Sequence, residues 1–178
     1  MKKYQVLMLL GVMFLLPVIL AKLMLTQQWY SGGATNQGQL LTPPLTASWL
    51  ATGKWQLIYW LPQQCDSRCE GALFHLKQVP IAVGAYQDRV KSIVLLAPVE
   101  PTAVIPVDAD HLPRYSSNAA EYKQFAPSEY GLNAVYIADP HGNVMMAYTL
   151  EAEHQAILTQ GKDILRDLKR LLKVSKIG

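Results

Sequence analysis

The sequence predicts an α/β domain, a mixed central sheet flanked by helices, behind one N-terminal transmembrane helix. Three observations predict it. From Tyr4 to Leu25 the chain is almost wholly apolar over a length that spans a bilayer. Beyond residue 48, short β-branched and aromatic runs alternate with segments of helical period. The only two cysteines, Cys65 and Cys69, follow closely on the strongest of those runs, Trp55-Gln-Leu-Ile-Tyr-Trp-Leu61.

The anchor is assigned to residues 4–25. Lys2 and Lys3 precede it, and Val6 to Ala21 carries no charge. Lys22 lies near one end, where a long side chain reaches the interface. A cleaved signal peptide is the rival, but Ile19-Leu-Ala21 is a poor small-x-small site and the apolar run is long. After Lys22 the next charge is Lys54, so the basic residues flank the N-terminal side. That predicts a cytoplasmic N-terminus and a domain on the far side. In a bacterium this is a single-pass protein of the inner membrane with its C-terminal domain in the periplasm, where disulfides persist.

Residues 26–48, rich in Gly, Thr, Gln and Pro, read as a linker leading into the domain. Its stretch Thr35–Pro44 is also suited to pack on the domain as a ribbon. The domain is assigned to 49–178. Lys54–Leu61 is its first strand. Cys69 to about Val79 is a helix with Leu73, Leu76 and Val79 on one face, ended or kinked by Pro80. Val90–Ala97 is a buried strand. Residues 98–117 hold four prolines and are left unassigned. Ala119–Phe125 is a short helix and Asn133–Ala138 a strand. Asp139-Pro-His-Gly142 is a turn, with Pro at its second position and Gly at its fourth. Val144–Leu150 returns antiparallel. Ile157–Val174 is an amphipathic helix, apolar at Ile164, Leu165, Leu168, Leu171 and Leu172. Strand, helix, strand, variable segment, hairpin, helix is a thioredoxin-like order.

The net charge is +3 over 178 residues. The C-terminal basic residues, Lys162, Arg166, Lys169, Arg170, Lys173 and Lys176, read as the polar face of a helix, so nucleic acid is not expected as a partner. The chemistry rests on the cysteines. If a helix starts at Cys65, a spacing of four sets both sulfurs on one face. A helix N-terminus favours thiolates, which either clamp a soft metal or close into a disulfide. Such a bridge is expected to be labile, because helical i, i+4 geometry strains it. A structural staple is the alternative. Arg68 is a candidate to lower a thiol pKa, Asp66 opposes a thiolate, and Trp60 is placed to shield the pair or to pack in the core.

These residues resemble the Sco/SenC family. The resemblance is carried by the anchor, Gly38-Gln-Leu-Leu-Thr-Pro-Pro44, the Cys-x-x-x-Cys motif, Tyr136-Ile-Ala-Asp-Pro-His-Gly-Asn143 and Lys162-Asp-Ile-Leu-Arg-Asp-Leu-Lys-Arg-Leu-Leu172. More closely, the chain is similar to a divergent proteobacterial group of cytochrome oxidase associated membrane proteins. The resemblance implies a membrane-anchored thioredoxin-like factor assisting cytochrome c oxidase maturation, by thiol exchange or by handling Cu(I). It implies Cys65 and Cys69 as the catalytic and metal-binding residues. It implies an oxidase subunit, or another copper or thiol assembly factor, as partner.

Two departures from the family pattern stand out. The histidine that completes the copper site in Sco proteins falls on or near Gly131 here, within Ser128-Glu-Tyr-Gly-Leu-Asn133. A proline preceding the third strand, cis in thioredoxins, is absent. Of the histidines, His75, His141 and His154 read as surface or capping residues, and His111 as the one a loop can bring over the cysteines. Met145 and Met146 read as core. Three functions therefore remain open: Sco-type maturation, general thiol–disulfide exchange (where two intervening residues are usual), and a non-catalytic scaffold with a cysteine staple.

Overall fold

In a computed structural model, which describes residues 2–26, 35–98 and 111–178, the apolar N-terminal run forms one helix, α1 (Lys2–Thr26). Its stretch Tyr4–Met24 has a mean hydropathy of 2.6 and is long and apolar enough to cross a membrane. A helix suits that setting because its backbone amides are bonded within the segment. The linker expected after α1 lies, over residues 27–34, outside the described residues, as does 99–110 of the proline-rich segment.

The chain divides into two compact units, Met1–Thr35 and Asn36–Gly178. The second begins ahead of residue 49, because part of the segment read as linker joins the sheet. Strand β1 (Gln39–Thr46) pairs antiparallel with β6 (Asn143–Thr149). Its register breaks between Leu40 and Leu45, around Pro43 and Pro44. Prolines lack an N–H for the ladder, so strands carrying them belong at a sheet edge or a bulge.

The sheet runs β1-β6-β5-β2-β3-β4, with β2 (Trp55–Leu61), β3 (Val90–Leu96), β4 (Arg114–Ser116) and β5 (Ala134–Ala138). β2, β3 and β4 are parallel, while β5 is antiparallel to β2 and β6 to β5. Every residue of β2 is buried, as a central strand covered on both faces must be. Trp55, Leu57, Tyr59 and Leu61 face one core, shared with α2 (Ser67–Ala82) and α4 (His154–Val174). Ile58 and Trp60 face a second core with Leu50 and Phe125, the latter on α3 (Ala119–Phe125).

Helix α2 runs past Pro80 instead of ending before it. Pro80 has no N–H to give the Leu76 carbonyl. The Ser92 hydroxyl, on β3, donates to that carbonyl in its place. At the far end of α4, the Arg89 guanidinium donates to the carbonyls of Leu172, Ser175, Ile177 and Gly178. These are the acceptors a helix C-terminus leaves without intrahelical donors, together with those just beyond it.

Asp167 of α4 is buried and makes the contact that seats the start of the domain. Its Oδ2 accepts from the backbone N–H of Gln37 at 2.6 Å, from that of Gly38 at 2.9 Å and from the Tyr148 hydroxyl at 2.9 Å. Burial, with Asp167 alongside, pushes the Tyr148 hydroxyl pKa up.

Candidate active site

β2 delivers the chain to Leu61, and a short loop leads to Cys65. The helix starts at Ser67, two residues ahead of the assigned Cys69 and two after Cys65, the start on which the one-face placement of the sulfurs depended. Asp66 is the reason. Its backbone is extended and its side chain accepts the Cys69 N–H at 3.0 Å, which makes it the N-cap. Cys65 therefore lies outside the helix and Cys69 occupies its third position. The two form a disulfide with Cα atoms 5.1 Å apart, inside the range a bridge tolerates.

The two sulfurs differ in environment. Cys69 is fully buried in the core beneath α2 and α4, whereas Cys65 is half-buried against its edge. An approaching thiol can thus reach Cys65 but not Cys69. Tyr59 of β2 lies in the same core, and burial together with the Asp66 charge pushes its hydroxyl pKa up. The Asp66 carboxylate therefore has two effects, capping the helix and setting a negative charge beside the cysteines. Its charge was legible in the sequence. Its cap had the ordinary signal, Asp ahead of an apolar helical run, which the i, i+4 reading of the cysteines overrode.

Trp60 does not shield the pair. It points to the opposite face of the sheet, where its ring meets Tyr122 and Phe125 edge-on. Alternation along β2 requires this, since Tyr59 already faces the cysteine side. Arg68 is exposed.

The histidines divide differently from expectation. His75 is neither surface nor cap: it is 1% exposed, on the face of α2 that meets α4. Its Nε2 pairs with Gln160 Oε1 at 3.2 Å, Nδ1 has no hydrogen-bond partner, and burial pushes its pKa down. His111 is exposed beside Leu112, which packs on the cysteine core. Among the described residues, no three His, Cys, Asp or Glu side chains form a group able to hold a metal ion. His141 is exposed in the β5–β6 turn, where its backbone N–H donates to Asp139 Oδ1 at 2.9 Å. Met146 is core, and Met145 packs against it.

Gly131 has φ +54° and donates its N–H to the Ser128 carbonyl at 2.9 Å. A positive φ favours glycine, so the place on or near which the family resemblance sets a histidine is here a left-handed turn. Its neighbours Tyr130 and Leu132 pack on the second core, away from the one that buries Cys69. Among the described residues the cis peptide is Thr42–Pro43, in β1 and not before β5.

A cysteine pair at the head of the first domain helix, following a central strand of a mixed sheet, defines a thioredoxin-like domain. The chain belongs to the family described as transmembrane-like, thioredoxin-like, C-terminal domain, whose model matches residues 55–175. Among solved structures it is similar to copper-bound ScoI of Bradyrhizobium japonicum, at 21% identity and TM-score 0.42, covering 70% of this chain and 97% of that one. It is also similar to a SCO1/SenC family lipoprotein of Bacillus anthracis, at 14% identity and TM-score 0.47, covering 80% and 98%. A third is the exposed lipoprotein thioredoxin Etrx1 of Streptococcus pneumoniae, at 14% identity and TM-score 0.38, covering 70% and 99%. No curated protein matches the chain.

Proposed function

We propose that this is a membrane-anchored, periplasmic thiol–disulfide factor that assists cytochrome c oxidase maturation through Cys65 and Cys69. The observation that carries the chemistry is the unequal pair at the head of α2, with Cys65 within reach and Cys69 buried. In the reduced domain the Cys65 thiolate attacks a disulfide of the partner. One partner sulfur leaves as thiolate and a mixed disulfide forms. The Cys69 thiolate then attacks Cys65 Sγ, closes the internal bridge and expels the second partner sulfur. Two electrons pass from the domain to the partner, and a dithiol reductant on the same side of the membrane must restore the pair.

Copper enters as a cargo, not as a resident cofactor. The donors that the fold brings together are two sulfurs, and Gly131 supplies no third. Two thiolates hold Cu(I) in near-linear fashion, less securely than a three-donor site. The donor set thus supports thiol exchange more strongly than copper delivery.

The test uses the full-length protein in cells. Cys69→Ser should accumulate a mixed disulfide through Cys65 that contains an oxidase subunit or a copper-site assembly factor, released by reductant and identified by mass spectrometry. Cys65→Ser should lower oxidase activity. If no adduct forms and the oxidase is unaffected, the proposal is wrong. A midpoint potential below about −300 mV would then mark the bridge as a structural staple of a scaffold protein.

A further inference from the structure

We propose that the outer face of α4 rests on the anionic headgroups of the bilayer. This goes beyond the thiol chemistry and depends only on α1 as the membrane span.

Charge is concentrated on this helix. Between Lys162 and Lys176 lie six of the sixteen Lys and Arg residues but only two of the thirteen Asp and Glu. The remainder of the chain is therefore close to neutral. Of the two acids, Asp163 pairs with Arg166, and Asp167 is turned into the domain. Lys162, Arg166, Lys169 and Lys173 recur at i, i+4, i+7 and i+11, so they form one stripe along α4. All four are exposed, opposite Ile164, Leu168 and Leu172 in the core. Beyond the stripe, Val174 is 84% exposed and Ile177 45%. Basic side chains with apolar ones beside them suit the headgroup boundary, where charge meets phosphate and the apolar groups dip below it.

Residues 27–36 separate the end of α1 from Gln37, and Gln37 and Gly38 are bonded to Asp167 on α4 itself. Ten residues extend at most about 35 Å. A tether of that length raises the effective concentration of the domain at the membrane surface, so that even weak attraction suffices. Each Lys or Arg at an anionic surface strengthens association by roughly fivefold.

The experiment reconstitutes the full-length protein in nanodiscs of phosphatidylcholine, alone or mixed with phosphatidylglycerol. Lysine acylation is followed residue by residue by mass spectrometry. Labelling of Lys162, Lys169, Lys173 and Lys176 should slow by about fivefold on the anionic discs. Lys123, exposed on α3, should not slow. High salt should abolish the protection. In Lys162→Gln/Lys169→Gln/Lys173→Gln, Lys176 should lose its protection while the melting temperature is unchanged. Equal labelling on both discs would overturn the proposal, as would protection spread equally to Lys123. Protection that appears only when an acidic protein is added would overturn it too, and would make α4 a protein-binding face.

Discussion

Asp66 and Asp167 perform the same elementary task in opposite surroundings. Each accepts backbone N–H groups with its carboxylate. Asp66 does so in solvent, for one amide at the head of α2, beside the disulfide. Asp167 does so in the interior, for two amides and the Tyr148 hydroxyl, and it binds the start of the domain to its last helix. Water screens the first charge, so it can adjust the chemistry of a neighbouring sulfur at small cost to stability. The second charge is desolvated and rests on its three donors, so its loss leaves those donors buried without partners.

The largest expected effect comes from the interior. Asp167→Ala should destabilise the domain by about 3 kcal/mol, read from denaturant unfolding, and should increase hydrogen exchange at Gln37 and Gly38. A loss below about 0.5 kcal/mol, the usual scale of surface substitutions, would erase the contrast between the two aspartates.

The next effect concerns the other buried polar group between α2 and α4. Burial holds the His75 pKa below 6.5, so the unfolded chain takes up a proton before the folded one does. The contribution of neutral His75 is fully present above about pH 6.5 and declines as pH falls below it, by at most about 1.4 kcal/mol per pH unit. His75→Gln should remove that part of the acid sensitivity, measured as the difference in unfolding midpoints at about pH 7.5 and 5.5. An unchanged difference would show that His75 is protonated without cost.

Asp66 should produce the smaller effects, and two substitutions separate its roles. Asp66→Ala removes cap and charge and should cost about 1 kcal/mol. Asp66→Asn keeps a capping oxygen and removes the charge, so stability should barely move. With the negative charge gone the thiolates are favoured, the reduced form gains, and the potential should become less negative by roughly 10–30 mV, up to a tenfold change in equilibrium. An unchanged potential would mean that Asp66 acts on the bridge only through the cap.

Much of the fold was legible because it is written in short-range periodicity. β2, β3, the β5–β6 hairpin with its Asp139–Gly142 turn, and the apolar stripe of α4 follow from alternation, turn residues and helical spacing. β1 was harder, because Pro43 and Pro44 read as linker until an edge with a register break receives them. Pro80 read as the end of the helix or a kink in it, and a hydroxyl from β3 takes the place of its missing N–H where α2 continues. His75 read as surface, since nothing local says that α4 covers it. At the site, both cysteines and their place after a central strand were legible. The helix start between them was not, because the spacing of four fitted a helix from Cys65 equally well.

By itself the sequence determined an apolar helix long enough to span a membrane, an α/β domain of thioredoxin-like order, and one cysteine pair at a strand–helix junction. These depend on residues close together in the chain, whose propensity and period are fixed by local geometry. Only the tertiary structure decided which sulfur is buried, that Trp60 faces away from it, that Gly131 sits in a left-handed turn packed on the other core, and that Asp167 captures residues 130 positions earlier. Those outcomes depend on which faces the sheet covers and which distant amides meet a carboxylate. Burial and long-range hydrogen bonds are set by packing, and no local pattern encodes them.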